Sequence, residues 1–401
     1  MKTETVGRND GDKTMERINF IATASFGLES SLKREVLRLG FSDVHTFDGR
    51  VEFSGTEEDI VKANLWLRCA SKVLIKMGAF RATSFEDLFE GTKALPWGEW
   101  ITEDGKFTVL GKSVKSQLHS VPDCQAIVKK AVVEKLKQKY PVSWFNETGA
   151  EYTIQVSIHN DVAMLTLDTS GQSLHKRGYR AEAMTAPLKE TLAAGLIDLS
   201  YWNKSRPLLD PLCGSGTIPI EAAMIARNVA PGLRRSFASE QWPRVGQERW
   251  RAGRMAAYQA IRYDVMPQIY GSDMSQEAID LARENAEKAG VDDCITFTVC
   301  RAEEARLVGD YGCIITNPPY GERIGEVKEV EALYRSLGAL LRQNATWGAY
   351  VITSMEYFES LFGRRADAKR KIFNGRIKTD YYQFYGPKPP KQKAHPATET
   401  K

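Results

Sequence analysis

The sequence predicts an α/β protein in two parts, an α+β region up to about Asp168 and a parallel sheet with helices on both faces beyond it. Three observations predict it. From Thr169 onward, short apolar runs alternate with amphipathic stretches, the strand–helix–strand rhythm that winds a parallel sheet. Before Asp168 the runs are joined by tight turns: Tyr152–Ile158 alternates as a half-buried strand, His159-Asn160-Asp161 turns, and Val162–Leu167 returns as a hairpin. A glycine turn, Cys213-Gly214-Ser215-Gly216, follows the apolar run Pro207–Asp210, at the sheet edge where α/β folds bind ligands.

In the first part, Ile18–Ala24 reads as a strand, and Leu28–Leu39 and Glu57–Leu67 as helices. Asp123 reads as the N-cap of another helix. Its apolar stripe is Ile127, Val128, Ala131, Val132 and Leu136, and Lys129, Lys130, Lys135, Lys137 and Lys139 form the opposite face, which reads as a solvated face or, less favoured, a phosphate-contacting surface. Gly111-Lys112-Ser113 and Ser116–Ser120 read as an exposed loop, with Lys112 a candidate phosphate contact. In the second part, strands are expected at Pro207–Asp210, Gln268–Asp273, Ile295–Cys300, Gly312–Thr316 and Ala349–Ser354. The helix Gln276–Ala289 stops at Gly290, a C-cap.

A chain of 401 residues is long enough for two or three cores. Its net charge of +4 is compatible with a nucleic-acid partner without requiring one. No run of about 18 apolar residues offers a membrane span. The start, MKTETVGRNDGDKTMERI, has no apolar signal core, so a cytoplasmic protein is expected. Residues 1–16 and 388–401 are polar and expected to be disordered. The six cysteines, Cys69, Cys124, Cys213, Cys294, Cys300 and Cys313, form no CxxC pair and read as reduced thiols. With five scattered histidines, no metal is expected.

The chemistry is concentrated in Ile314–Ile324, IITNPPYGERI. Neither Pro318 nor Pro319 can donate a backbone hydrogen bond, and each holds φ near about −65°. Residues preceding a proline are pushed to extended conformations, so the stretch is a stiff loop. It would fix the Asn317 carboxamide, the Pro318 carbonyl and the Tyr320 ring in one relation, which suits a planar substrate carrying an NH2 group. An ordinary Pro-Pro turn is the competing reading of this stretch taken alone.

Gly214 and Gly216 let the backbone approach a ligand where a helix begins. The spacing resembles G-x-G-x-x-G, but Pro219 occupies the third position, and Asp210 would repel a pyrophosphate. A ligand carrying positive charge, a sulfonium or an amine, fits better than a dinucleotide, so the oxidoreductase reading fails. Asp273, ending the second strand, can accept both hydroxyls of a ribose or cap the next helix. Residues Thr298–Glu304 could flank an adenine, with Glu303 within reach of its amino group.

DPLCGSGT, GSDMS and TNPPYGERIG, in this order, resemble motifs I, II and IV of class I S-adenosyl-L-methionine-dependent methyltransferases. His175–Arg180, Ala186–Ala194 and Lys371–Ile377 are similar to segments of the THUMP-domain RNA methyltransferases, nearest the bacterial large-subunit ribosomal RNA guanine-N2 group. The resemblance covers nearly the whole chain. It implies a ferredoxin-like element over residues 17–70, a THUMP RNA-binding domain over 71–168 and a Rossmann-like methyltransferase domain with a mostly parallel seven-stranded sheet over 169–387. It implies S-adenosyl-L-methionine held by Asp210, Pro211, Cys213, Gly214, Ser215, Gly216, Thr217, Asp273, Met274, Ala302, Glu303 and Asn317. Catalysis falls to Asn317, Pro318, Pro319 and Tyr320, and contact with RNA, expected to be 23S rRNA, to Lys112, Lys176, Arg177, Tyr179, Arg180, Arg323 and Asn374, with stabilisation of the linker the competing reading for His175–Arg180.

Two features depart from the family pattern. Arg301 stands where many class I enzymes carry an acidic residue before the adenine. The stretch Arg227–Arg262, with Arg234, Arg235, Arg244, Arg249, Arg251 and Arg254 among Trp242 and Trp250, lengthens the gap between motifs I and II. It reads either as an RNA contact or as a solvated helical insertion. The alternatives are an adenine-N6 or other amino-methyltransferase on RNA or DNA, and a non-catalytic RNA-binding ribosome-assembly factor.

Overall fold

The computed structural model describes residues 17–180, 188–321 and 327–390. The chain opens with β1 (Ile18–Thr23), α1 (Glu29–Arg38), β2 (Ser42–Phe47), β3 (Arg50–Gly55), α2 (Glu57–Trp66) and β4 (Lys72–Arg81). It continues through α3 (Phe85–Lys93), β5 (Lys106–Val114), α4 (Val121–Lys139), β6 (Glu151–His159) and β7 (Val162–Asp168). These strands make one seven-stranded sheet in the order β2-β3-β1-β4-β7-β6-β5. The expected division near residue 70 is therefore no break in the sheet. β4 pairs antiparallel with β1 on one side and with β7 on the other.

Two local expectations are corrected. Helix α4 begins at Val121 with Ser120 as N-cap residue, and Asp123 lies inside the first turn. Pro122 explains the earlier start, since a first-turn proline forfeits no helical hydrogen bond and Asp123 there complements the helix dipole. Gly111-Lys112-Ser113 is not a loop but part of edge strand β5, paired in parallel with β6. The α4 lysines are largely solvated. Lys129 and Lys137 reach Glu147 and Glu134, and Lys139 reaches the Gly98 carbonyl.

The second part comprises α5 (Glu190–Leu199), β8 (Leu208–Asp210), α6 (Thr217–Ala226), α7 (Gln247–Gln259), β9 (Ile269–Asp273), α8 (Gln276–Ala289) and β10 (Ile295–Val299). After these come β11 (Cys313–Thr316), α9 (Val327–Arg342), β12 (Gly348–Thr353), α10 (Phe358–Phe362), β13 (Ala368–Asn374) and β14 (Ile377–Phe384). Its seven strands run β10-β9-β8-β11-β12-β14-β13. The first five are mutually parallel, and β14 pairs antiparallel with both β12 and β13. Strands buried on both faces are near-continuously apolar, as Cys313–Thr316 and Gly348–Thr353 are up to their terminal threonines, all of their residues being buried. Among the described residues no helix is long and apolar enough to cross a membrane, and no cluster of His, Cys, Asp or Glu could hold a metal.

The core of the first part does not end with the first part. Phe237, Trp242, Val245 and Trp250, from the arginine-rich stretch, belong to the same apolar cluster as Phe20, Ile75 and Tyr152.

Candidate active site

Sheet order decides which residues meet. β8 lies between β9 and β11 with all three parallel, so their carboxyl ends open on one edge. Asp210 ends β8, Asp273 ends β9, and Thr316 ends β11 directly before Asn317. The Thr316 hydroxyl donates to Asp210 Oδ1 at 2.7 Å, tying the Asn-Pro-Pro-Tyr loop to the strand that leads into the glycine turn. The Cys213 N–H donates to the Ser272 carbonyl at 2.8 Å, and the Gly214 N–H to Asp273 Oδ2 at 3.1 Å. Asp273 Oδ1 accepts from the Ser275 N–H at 3.0 Å. Asp273 is thus not the cap of α8, since Ser275 fills that role through its own Oγ and the Ala278 N–H. Each Asp273 oxygen keeps a second lone pair for a ligand hydroxyl.

The two glycines are needed for different reasons. Gly214 has φ +51°, and a Cβ there would point into open space. Gly216 has φ +82°, and its Cβ would stand 3.0 Å from Ala282 and 3.1 Å from Phe297. One side of the turn is therefore packed shut and the other is open. Pro219 falls in the first turn of α6, where its missing N–H forfeits no helical bond.

Asp210 is 2% exposed, and burial raises its carboxyl to about 7, against the pull of the Thr316 and Leu212 hydrogen bonds; the charge of Asp273 raises it further. Its hydrogen-bond partners, the Thr316 hydroxyl and the Leu212 N–H, are both neutral. A buried carboxylate paired only with neutral donors, beside an open glycine turn, fits a cationic ligand such as S-adenosyl-L-methionine.

In the acceptor loop, Pro318 is buried and Pro319 exposed. The Tyr320 hydroxyl donates to Asn317 Oδ1 at 2.6 Å and accepts from Asn374 Nδ2 at 3.1 Å. Asn374, expected to touch RNA, is half-buried here and donates to Tyr320. The Tyr334 hydroxyl, from α9, donates to the Pro319 carbonyl at 2.9 Å and lies 2.7 Å from Thr353 Oγ1. Thr316, Tyr334 and Thr353 escaped sequence reading. Thr316 could have been found as a polar residue ending an apolar strand before the loop; the other two lie on elements that only the fold brings in.

Other expected residues fall differently. Pro211, Cys213, Ser215 and Thr217 are buried within the turn, with Thr217 Oγ1 accepting from Arg180 at 2.7 Å. Met274 is 66% exposed beside Asp273. Ala302 is buried in a short turn, and Glu303 is bound to Arg301 at 2.6 Å, so the departure at Arg301 engages the acidic side chain expected near adenine. Lys112 and Lys176 are exposed. Arg177 and Tyr179 are corrected from RNA contacts to internal residues. Both are buried, Arg177 pairs with the fully buried Glu221 at 3.3 Å, and the Tyr179 hydroxyl lies 3.4 Å from the same carboxylate. Arg180 is half-buried against Glu190. Arg323, and Ala186 and Pro187 of the family-like segment, lie outside the described residues.

The arginine-rich stretch is neither simply solvated nor simply free for RNA. Arg244 pairs with Glu57 and Glu99, Arg235 donates to the carbonyls of Gln172, Ser173 and Lys176, and Arg254 pairs with Glu240.

Three family models match successive parts of the chain: an RlmL ferredoxin-like domain over residues 19–74, a THUMP domain over 82–168 and an RMKL-like methyltransferase domain over 177–383. The chain belongs to the RMKL-like methyltransferase family. Among relatives, "Putative RNA methyltransferase YpsC" of Bacillus subtilis (strain 168) is 47% identical over 381 residues, covering 94% of this chain and 99% of the relative. "Ribosomal RNA large subunit methyltransferase K/L" of Psychromonas ingrahamii is 36% identical over 391 residues, 95% of this chain but 52% of the relative. The chain spans about half the length of the K/L relatives it matches. Two crystal structures share the fold. A predicted N6-adenine-specific DNA methylase from Listeria monocytogenes has TM-score 0.89 and 46% identity over 93% of this chain and 97% of its own. SMU.472, a putative methyltransferase complexed with SAH, has TM-score 0.89 and 41% identity over 94% of this chain and all of its own. As a member of the RMKL-like family, the chain is a methyltransferase.

Proposed function

We propose that this methyltransferase transfers a methyl group from S-adenosyl-L-methionine to the exocyclic N2 amine of a guanosine in RNA, specifically 23S rRNA. The observation that carries this reading is the 2.7 Å Thr316–Asp210 hydrogen bond, which couples the amide-bearing acceptor loop to the strand leading into the open glycine turn. The K/L relatives and the THUMP match support RNA as acceptor, and such a substrate is consistent with a cytoplasmic location.

When bound, the cofactor supplies a methyl group made electrophilic by its sulfonium. The chain's own residues prepare the nucleophile. A guanine N2 lone pair is delocalised into the ring and is a poor nucleophile. Asn317 Oδ1 and the Pro318 carbonyl accept the two amine protons, which localises the lone pair and stabilises positive charge developing on nitrogen. A carboxamide oxygen has two lone pairs, so Asn317 can receive an amine proton while keeping the Tyr320 hydroxyl bond that orients it. The Tyr320 ring offers a stacking face to a flipped or single-stranded base. The proton leaves to solvent after transfer, so no strong base is required. Asp210 and Asp273 bind and orient the cofactor through its cationic and ribose groups, and Gly214 gives it room.

Mass-spectrometric mapping of modified guanosines in ribosomal RNA from a deletion strain tests the assignment. Loss of one N2-methylguanosine, restored by the wild-type gene and not by the Asn317→Ala gene, is the expected result. The same acceptor chemistry would serve adenine N6, and loss of N6-methyladenosine instead would replace guanine as the target. A catalytically idle factor should show no S-adenosyl-L-methionine binding by calorimetry.

A further inference from the structure

A cleft of about 1720 Å³ separates the end of the first sheet from the arginine-rich stretch, away from the acceptor loop. Its volume exceeds the roughly 300–1,000 Å³ of small-molecule sites and leaves room for a polymer segment. One wall comes from Gly149–Glu151 and Ser170–Gln172, the floor from residues 175–180 and 189–190, and the other wall from 234–254. Eight arginine and lysine side chains line it against three glutamates, a surplus of five on a chain whose net charge is +4. The glutamates are already matched: Glu190 by Arg180, Glu240 by Arg254 and Glu151 by Lys106. Four of the cations, Lys176, Lys189, Arg234 and Arg251, are exposed, and their side chains have no hydrogen-bond or ion-pair partner among the described residues.

The aromatic residues of the cleft are not offered to a ligand. Phe237 and Trp250 are buried and stacked on one another at 4.8 Å, with Arg254 over both rings and Arg235 over Phe237. Without a free ring the cleft can grip charge but cannot stack bases. The local field agrees. Burial, followed by the charges of Lys189, Arg177, Lys176 and Arg180, lowers the His175 imidazole to about 4 and keeps it neutral. Arg180, on the floor, also donates to Thr217 at the start of α6, so the cleft meets the glycine turn through one side chain.

We propose that this cleft is a phosphate-binding track that holds the RNA backbone between the first sheet and the methyltransferase domain, independent of base sequence. The inference rests on the RNA reading above and adds the surface that holds it. Lys176, Lys189, Arg234 and Arg251 neutralise successive phosphates, while the fixed arginines shape the walls.

The test replaces all four with glutamine in the full chain and compares it with a control carrying Lys33→Gln, Lys62→Gln, Lys204→Gln and Lys288→Gln, four exposed lysines outside the cleft. Both variants lose the same net charge. Fluorescence anisotropy with a labelled mixed-sequence single-stranded RNA is measured against salt. The cleft variant should bind about tenfold or more weakly, with its log–log salt slope reduced by roughly 3, at about 0.7 per lost phosphate contact on single strands. The control should stay close to wild type, and both should keep wild-type S-adenosyl-L-methionine affinity. Equal losses in the two variants would overturn the proposal. If wild type binds no RNA, the reading under Proposed function falls as well; if wild type binds and only the cleft variant's expected loss is missing, the cleft assignment falls alone. Photo-crosslinking of thiouridine-substituted RNA to wild-type protein is a readout independent of any variant's folding. Crosslinks should map to residues 170–180 and 234–254, and crosslinks confined to other surfaces would refute the track.

Discussion

Asn317 makes one strong contact among the described residues that bears on chemistry, the 2.6 Å bond from Tyr320 to its amide oxygen. Under the proposed mechanism that oxygen stabilises charge present only in the transition state, so Asn317→Ala should lower kcat by about 10²–10³ with little change in cofactor affinity. Tyr320→Phe removes the neutral hydrogen bonds to Asn317 and from Asn374 and keeps the ring, so its effect on kcat should be roughly three- to tenfold. Single-turnover methylation separates the two; near wild-type turnover by Asn317→Ala would retire the mechanism. Asp210 supplies a pH test. Its carboxyl, ordinarily at 3.8, stands at about 7 when buried. Between those values the folded protein holds a proton that the unfolded chain has released, so this group lowers stability as pH rises across that window. A cation in the glycine turn favours the carboxylate and reverses the effect. Calorimetric S-adenosyl-L-methionine affinity should therefore rise from about pH 6 to about pH 8, with proton release, and Asp210→Asn should flatten the trend. A pH-independent wild-type affinity would contradict the cationic role.

At the scale of elements, the segment joining the two sheets is held by charge inside the protein. Arg177 and Glu221 are 2% and 0% exposed in their side chains, and Arg177 also donates to the Leu174 and Arg68 carbonyls. Arg177→Ala strands the Glu221 carboxylate in the interior and should cost about 3–5 kcal/mol, read as a lowered urea midpoint. Arg177→Met with Glu221→Leu should recover much of that loss, because no unpaired charge is left behind; equal instability of single and double variants would argue against an electrostatic cause. This pair also shows what was legible in the sequence. The strand-end motifs were readable because each is local: an apolar run, a carboxylate, then a glycine or proline turn. For the Arg177 segment RNA contact and linker stabilisation both stayed open, because arginines are usually exposed and the partner that buries this one lies on α6, 44 residues away. The same limit hid Tyr334 and Thr353 behind Pro319. The start of α4 was local but ambiguous, Ser120, Pro122 and Asp123 all being acceptable at a helix start.

For the whole molecule, the two sheets are not independent bodies joined by a tether. Trp242, 1% exposed, stacks on Tyr152 at 4.9 Å and donates to the Glu151 carbonyl at 3.0 Å, so a residue of the methyltransferase half completes the core of the first sheet. A backbone bond crosses as well, from the Gly232 N–H to the Leu65 carbonyl, and the Ser239 N–H donates to the Thr169 carbonyl directly after β7. The insertion gives Phe237, Trp242, Val245 and Trp250 to that shared core, while several of its arginines cap carbonyls or pair with Glu57, Glu99 and Glu240 on either side. Removing the Trp242 side chain opens a large cavity exactly where the halves meet, so Trp242→Ala should cost about 3–5 kcal/mol. Because both halves share that core, the intact chain should unfold in one calorimetric transition. A fragment ending at Asp168 exposes the apolar surface that Phe237, Trp242 and Trp250 cover and should bind a hydrophobic dye and lose near-ultraviolet dichroism. Two well-separated transitions in the intact chain, or a fragment with native dichroism, would show instead that the first sheet folds without its partner and that the shared core is an accessory contact.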